Sequence, residues 1–185
     1  MAAGEIQDGK LLIDGQWTFL KTGCPLANFA TEDLKGTVDV LKSKGYNNIK
    51  INLYWDHFDT NCDGQLDKSL DKVNSLINHI ADIGIYCDLS FETYNVGGGG
   101  VAPAFFDAHP DSQAVNSDGQ LAFDGEYGTG KKIPSIFHPA YLDASRTFMK
   151  NVLQGVDTSK ILYFETTVEP QYIGSQQLDY SPAAK

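Results

Sequence analysis

A chain of 185 residues is long enough for one domain with a sizeable core and leaves no room for a second large one. Hydrophobic residues at 42% and charged residues at 21% describe a folding globular chain, and 14 Lys and Arg against 24 Asp and Glu give a net charge near -10 that repels polyanions, so nucleic acid is excluded as a partner. The opening MAAGEIQDGK lacks the basic lead and apolar core of a leader, and no run approaches the ~18 apolar residues of a membrane span, so a cytoplasmic protein with no membrane partner is expected.

Residues 1–10 read as an N-terminal extension and 11–185 as one domain. Within LLIDGQWTFL (11–20), Asp14-Gly15 lies between two apolar runs and predicts a short β-hairpin with a type I′ turn. Lys21 to Pro25 is a candidate strand end. Thr31-Glu-Asp then supplies an N-cap and early acids for a helix carrying Leu34, Val38 and Leu41, which Gly45 stops. Asn48 to Trp55 (NIKINLYW) is β-branched and apolar enough for a buried strand. Residues 66–83 set Leu70, Val73, Leu76, Ile77 and Ile80 on one helical face, ended by Gly84. Ile85 to Phe91 reads as a strand, Pro139 to Leu153 as a helix with Pro in its first turn, and Ile161 to Thr167 as a strand. The order β-α-β-α-β-α-β implies parallel strands with crossover helices, an α/β fold whose chemistry sits at the C-terminal strand ends. The segment Glu92 to Ser135, rich in Gly, Asp and aromatics, is far longer than an ordinary βα connection and suits binding.

Strand ends single out Trp55, Glu92 and Tyr94, where an aromatic platform and a carboxylate suit sugar C–H faces and hydroxyls; core packing is the competing role for Trp55. Asp59, Asn61, Asp63, Gln65 and Asp67 match the oxygen-ligand positions of a calcium loop, with Gly64 at its turn. The match breaks at the twelfth position, where Leu70 stands for the bidentate Glu, so weak calcium binding at best is expected and no cofactor is required. Cys24, Cys62 and Cys87 form no C-x-x-C and read as buried free thiols. His57, His79, His109 and His138 share no metal-ligand spacing and read as structural.

INLYWDHFDTNCDGQLDKSLDKVNSLINHIADIGIYCDLSFET resembles clan-A glycosidases. APAFFDAHPDSQAVNSDGQ (102–120), HPAYLDASRTFMKNVL (138–153) and TTVEPQYIG (166–174) are similar to the family 42 glycoside hydrolases. The resemblance implies the N-terminal half, about four βα units, of a (β/α)8 TIM barrel, preceded by the hairpin and cut after strand four. It further implies a retaining, β-galactosidase-like hydrolase acting on a carbohydrate. Glu169 then stands where the family places its acid/base glutamate, and the nucleophile of a seventh strand lies beyond Lys185. Glu165, four residues earlier on the same strand, is the competing carboxylate, expected to point into the barrel as a hydrogen-bonding group supporting the substrate site, since side chains alternate along a strand.

Departures from the family limit what carries over. Val168 replaces the Asn before the acid/base, Lys131 and Lys132 stand where the family often has two arginines, and no Cys follows Glu169. Lys132 is kept as a substrate-binding candidate, while galactoside specificity is not carried over. A non-catalytic carbohydrate-binding half-barrel and a calcium-dependent interaction module fit the same residues. The open edges of half a barrel also favour self-association.

Overall fold

The computed structural model describes residues 4–95, 100–124, 130–166 and 178–185. It divides into two compact units, one of Met1–Leu53, Leu70–Ser90 and Gly155–Glu165, the other of Tyr54–Ser69, Phe91–Gln154 and Thr166–Lys185.

The first unit opens with an antiparallel sheet of β1 (Gly4–Gln7), β2 (Lys10–Ile13) and β3 (Gln16–Trp17). Asp14 and Gly15 both take positive φ, 50° and 75°, as the I′ turn between β2 and β3 requires. Asp8 and Gly9 repeat this at 50° and 72°, turning β1 into β2. The expected extension over residues 1–10 is corrected accordingly: from Gly4 onward it is a strand and turn of the sheet, because it carries a second Asp-Gly pair.

A four-stranded sheet follows, ordered β4 (Thr22–Gly23), β5 (Asn48–Tyr54), β6 (Tyr86–Glu92) and β7 (Tyr163–Glu165). β4 pairs parallel with β5 and β6 with β7. Between the strands lie α1 (Lys35–Ser43), α2 (Trp55–Phe58), α3 (Asp71–Asp82), α4 (Pro103–Ala108) and α5 (Pro139–Gly155). The chain is α/β, in the order its hydrophobic periodicity predicts. α1 and α3 bury Val38, Val73, Leu76, Ile77 and Ile80, and β5 buries Ile49, Ile51 and Leu53 completely.

α1 begins later than Thr31. The Asn28 side chain accepts from Ala30 N at 3.0 Å, its carbonyl accepts from Thr31 N and Glu32 N, and Glu32 reaches back to accept from Asn28 N at 2.7 Å, so Thr31 and Glu32 are spent on closing a turn, while Asp33 accepts from Lys35 N at 3.2 Å where the helix begins. Gly45 (φ 80°) and Gly84 (φ 73°) end α1 and α3 in the left-handed conformation that glycine tolerates best.

In the second unit, α5 packs Phe148 edge-on against Phe91, the ring centroids 6.1 Å apart. The described residues of the long segment after Glu92 are largely structured. It holds α4 and an antiparallel ribbon bridged at Gln113 with Pro134, Val115 with Leu121, and Phe123 with Lys132. Among the described residues no helix is long and apolar enough to cross a membrane.

Candidate functional site

A parallel strand buried on both faces reads as a near-continuous apolar run. β5 and β6 do not. Ile49, Ile51 and Leu53 alternate with Asn48, Lys50 and Asn52, and Cys87 and Leu89 alternate with Asp88 and Ser90. Period two therefore gives the first unit's sheet one polar face. The strand register sets Asp88 beside Tyr163 and Ser90 beside Glu165. Asn48 donates to Asp88 and, at 3.0 Å, to Thr22 Oγ1, while Lys50 forms an ion pair with Glu165. Asn48, Asp88 and Ser90 are fully buried, and Asn48 Oδ1, Asn52 Oδ1, Asp88 Oδ2 and Ser90 Oγ meet no hydrogen-bond partner among the described residues.

Burial dominates the electrostatics of this face. It pushes the Asp88 carboxyl above the usual carboxylate range, and the Asn48 amide, the Lys50 ammonium and the Tyr163 hydroxyl offset only part of that rise. Tyr163 is pushed up to about 12, by burial first and by the Asp88 charge second. For Lys50, burial pulls downward, but the Glu165 hydrogen bond and charge outweigh it and the net direction is up. Glu165 is paired with Lys50 on this face. Asn48, Lys50 and Asp88 were not singled out from the sequence, although their alternation with apolar neighbours was the signal.

The second unit holds the strand-end candidates. Trp55 is 0% exposed, stacked on Phe148 and tilted against Phe105 and Tyr141 at 5.9–6.1 Å, and its indole N–H donates to Asp59 at 2.8 Å. Of the two roles expected for it, the structure gives it core packing. Tyr94 is also buried, in an apolar cluster with Ala114 and Ile133. Glu92 ends β6 with 8% exposure. Lys132 sets its ammonium 5.5 Å from the Phe106 ring centre, and its carbonyl accepts from the Asn95 amide at 2.9 Å. Glu169 lies outside the described residues.

The Asp59 loop is a backbone clamp. Besides the Trp55 indole, Asp59 accepts from Gly64 N at 2.6 Å and Asp63 N at 3.2 Å. Asp63 caps Gln65 N at 2.8 Å, and Asp67 accepts from the Thr60 amide at 3.0 Å and from the Thr60 hydroxyl. Those Thr60 bonds hold the Asp67 carboxyl below its ordinary range. Asn61, Asp63, Gln65 and Asp67 are exposed while Asp59 is buried, and among the described residues no three acidic, His or Cys groups converge as a metal would need. Of the thiols, Cys62 and Cys87 are buried, with pKa values raised by that burial; Cys24 is exposed, correcting the expectation for it, because it follows the short edge strand β4. His79 pairs with Asp39 at 2.7 Å and His138 with Asp111 at 3.4 Å.

No protein-family model matches the chain, and no curated protein does. Among solved structures, it is similar to a β-galactosidase from the psychrophilic Marinomonas ef1, with a TM-score of 0.65 and 12% identity over 88% of this chain and 23% of that one. It is likewise similar to a cold-adapted β-galactosidase from Rahnella sp. R3, with a TM-score of 0.59 and 15% identity over 86% and 22%. The chain therefore spans less than a quarter of the length of either enzyme, and what it shares with them at this identity is the α/β fold with its parallel sheet.

Proposed function

We propose that this chain forms part of a (β/α)8 glycoside hydrolase barrel that cleaves O-glycosyl bonds with retention, β-galactosidase-like in substrate, with Glu169 as its acid/base. The observation that carries the proposal is the fold likeness to two β-galactosidases over 86–88% of the chain. The first unit's sheet supports it with a polar face of the kind a sugar-binding barrel interior needs. Glu169 comes four residues after Glu165, the end of β7, and barrel enzymes mount catalytic groups at C-terminal strand ends. In a retaining mechanism that glutamate protonates the glycosidic oxygen and later deprotonates the water that releases the sugar, while a second carboxylate holds the glycosyl group. Glu92 is the candidate for sugar hydroxyls at the end of β6, and Glu165 acts through Lys50 to hold the polar face.

A calorimetric titration with a galactose-configured iminosugar tests this reading, because the ring ammonium of such a compound pairs with catalytic carboxylates. Saturable binding is expected, and Glu169→Gln should weaken it about tenfold, the loss of one charge-assisted hydrogen bond. Equal binding by parent and variant would remove Glu169 from the site, and absence of binding by the parent would count against the carbohydrate reading.

A further inference from the structure

The second unit holds a cavity of about 330 Å³ that none of the preceding roles uses. The chain itself places it: Asp56 lies two residues beyond the end of β5 and Asn95 three beyond the end of β6, and both line it. Barrel enzymes mount their binding groups on the segments that follow C-terminal strand ends. Its apolar lining is Val101, Pro103, Phe106 and Phe123. Val101 and Phe106 are buried while Pro103 and Phe123 are exposed, so the cavity runs from the interior of this unit to solvent.

The polar lining offers little to a sugar. Asn95 is saturated: its amide donates to the carbonyls of Val101 and Lys132, both at 2.9 Å, and its oxygen accepts from Gly100 N at 2.8 Å and Val101 N at 2.7 Å. Asp56 Oδ1 is buried out of a ligand's reach. The Lys132 ammonium lies 5.5 Å from the centre of the Phe106 ring. A pyranose carries a hydroxyl on almost every carbon, and each one set against Val101, Pro103 or a phenyl ring would lose its water without a replacement hydrogen bond. An aryl group has no such loss, and both its apolar area and its ring contacts favour entry. The volume, at the small end of the range for ligand pockets, suits one ring-sized group rather than an oligosaccharide.

We infer that this cavity is the aglycone subsite of the hydrolase and selects β-glycosides whose leaving group is a single apolar aryl ring, with Phe106 and Phe123 as specificity-determining residues. The inference rests on the glycoside hydrolase reading and names its substrate class. Calorimetric titration of the 185-residue chain with methyl β-thiogalactoside, phenyl β-thiogalactoside and lactose tests it, the sulfur of the first two standing for the glycosidic oxygen and resisting hydrolysis. Phenyl β-thiogalactoside should bind at least about tenfold more tightly than the methyl compound, and lactose, whose aglycone is a second sugar, no more tightly than the methyl compound. Phe123→Ala should cut the phenyl gain about fivefold and leave the methyl affinity unchanged. Phe123 is 49% exposed, so the fold is not at risk, and an unchanged circular dichroism spectrum is the check. Equal binding of the methyl and phenyl compounds, a phenyl gain undiminished in Phe123→Ala, or lactose binding more tightly than the phenyl compound would each overturn the inference while leaving the iminosugar result at Glu169 standing. Failure of the parent to bind either thiogalactoside or the iminosugar would instead remove the glycoside hydrolase reading and this inference with it.

Discussion

Asp88 is fully buried and shares its polar face with Asn48, Lys50, Tyr163 and Glu165, all bearing on its charge. Because burial raises its folded pKa above the unfolded value near ~3.9, its contribution to stability is complete below that value and is lost as pH rises through the folded pKa. Asp88→Asn keeps the shape and removes the titration. The melting temperature of the variant should therefore gain on the parent as pH rises from about 4 toward neutrality. A difference independent of pH would show that folding leaves the Asp88 pKa unshifted, and one widening in the parent's favour would show that Asp88 is stabilised as a carboxylate. Half of this arrangement was legible beforehand. Period two in NIKINLY separates Asn48, Lys50 and Asn52 from Ile49, Ile51 and Leu53, but reading the run as an apolar strand passes over its polar members. The partners were not legible, since Lys50 meets Glu165 only once the strand order is known.

At the scale of elements, the loop from Asp59 to Asp67 shows how one sequence pattern serves two ends. Oxygen donors alternating around a glycine suit a cation. They suit a tight turn equally well, because Asp side chains hydrogen-bond the backbone two residues on. Here the backbone and the Trp55 indole hold Asp59, and Gly64 (φ 95°) makes the bend with its Cβ position 2.7 Å from Thr147 Cβ. Adding a chelator should leave the melting temperature almost unchanged. A site saturated at ~100 times its dissociation constant would add about 2.7 kcal/mol, so a clear drop in melting temperature would reveal a cation held with Asp71 in place of the missing twelfth-position ligand. Helix positions were readable wherever glycine closes them, at Gly45 and Gly84. The start of α1 was not, because Asn28, upstream of the Thr31 signal, takes the local hydrogen bonds first.

For the whole molecule, the β-α alternation was legible because each element keeps its own period, and the order β4-β5-β6-β7 follows the chain order, as consecutive strands commonly lie side by side. Among the described residues the parallel sheet has four strands, with β4 and β7 at its edges. A retaining glycosidase sets two carboxyls about 5 to 5.5 Å apart across the bond. In the resembling clan the second comes from a seventh strand, so the 185-residue chain alone should turn over neither aryl β-galactosides nor aryl β-glucosides. Turnover by the parent that Glu169→Gln lacks would mean that a second carboxylate lies within this chain, with Glu92 and Glu165 the first to mutate. The acid/base role itself is tested most directly with N-bromoacetyl-β-galactosylamine, which sets an electrophilic carbon where the glycosidic oxygen would lie. An acid/base carboxylate in that position displaces bromide and keeps the sugar as an ester, which peptide mass spectrometry locates. One adduct is expected, on Glu169, suppressed by excess galactose. An adduct on another carboxylate with Glu169 unmodified, or labelling that galactose does not suppress, would contradict it.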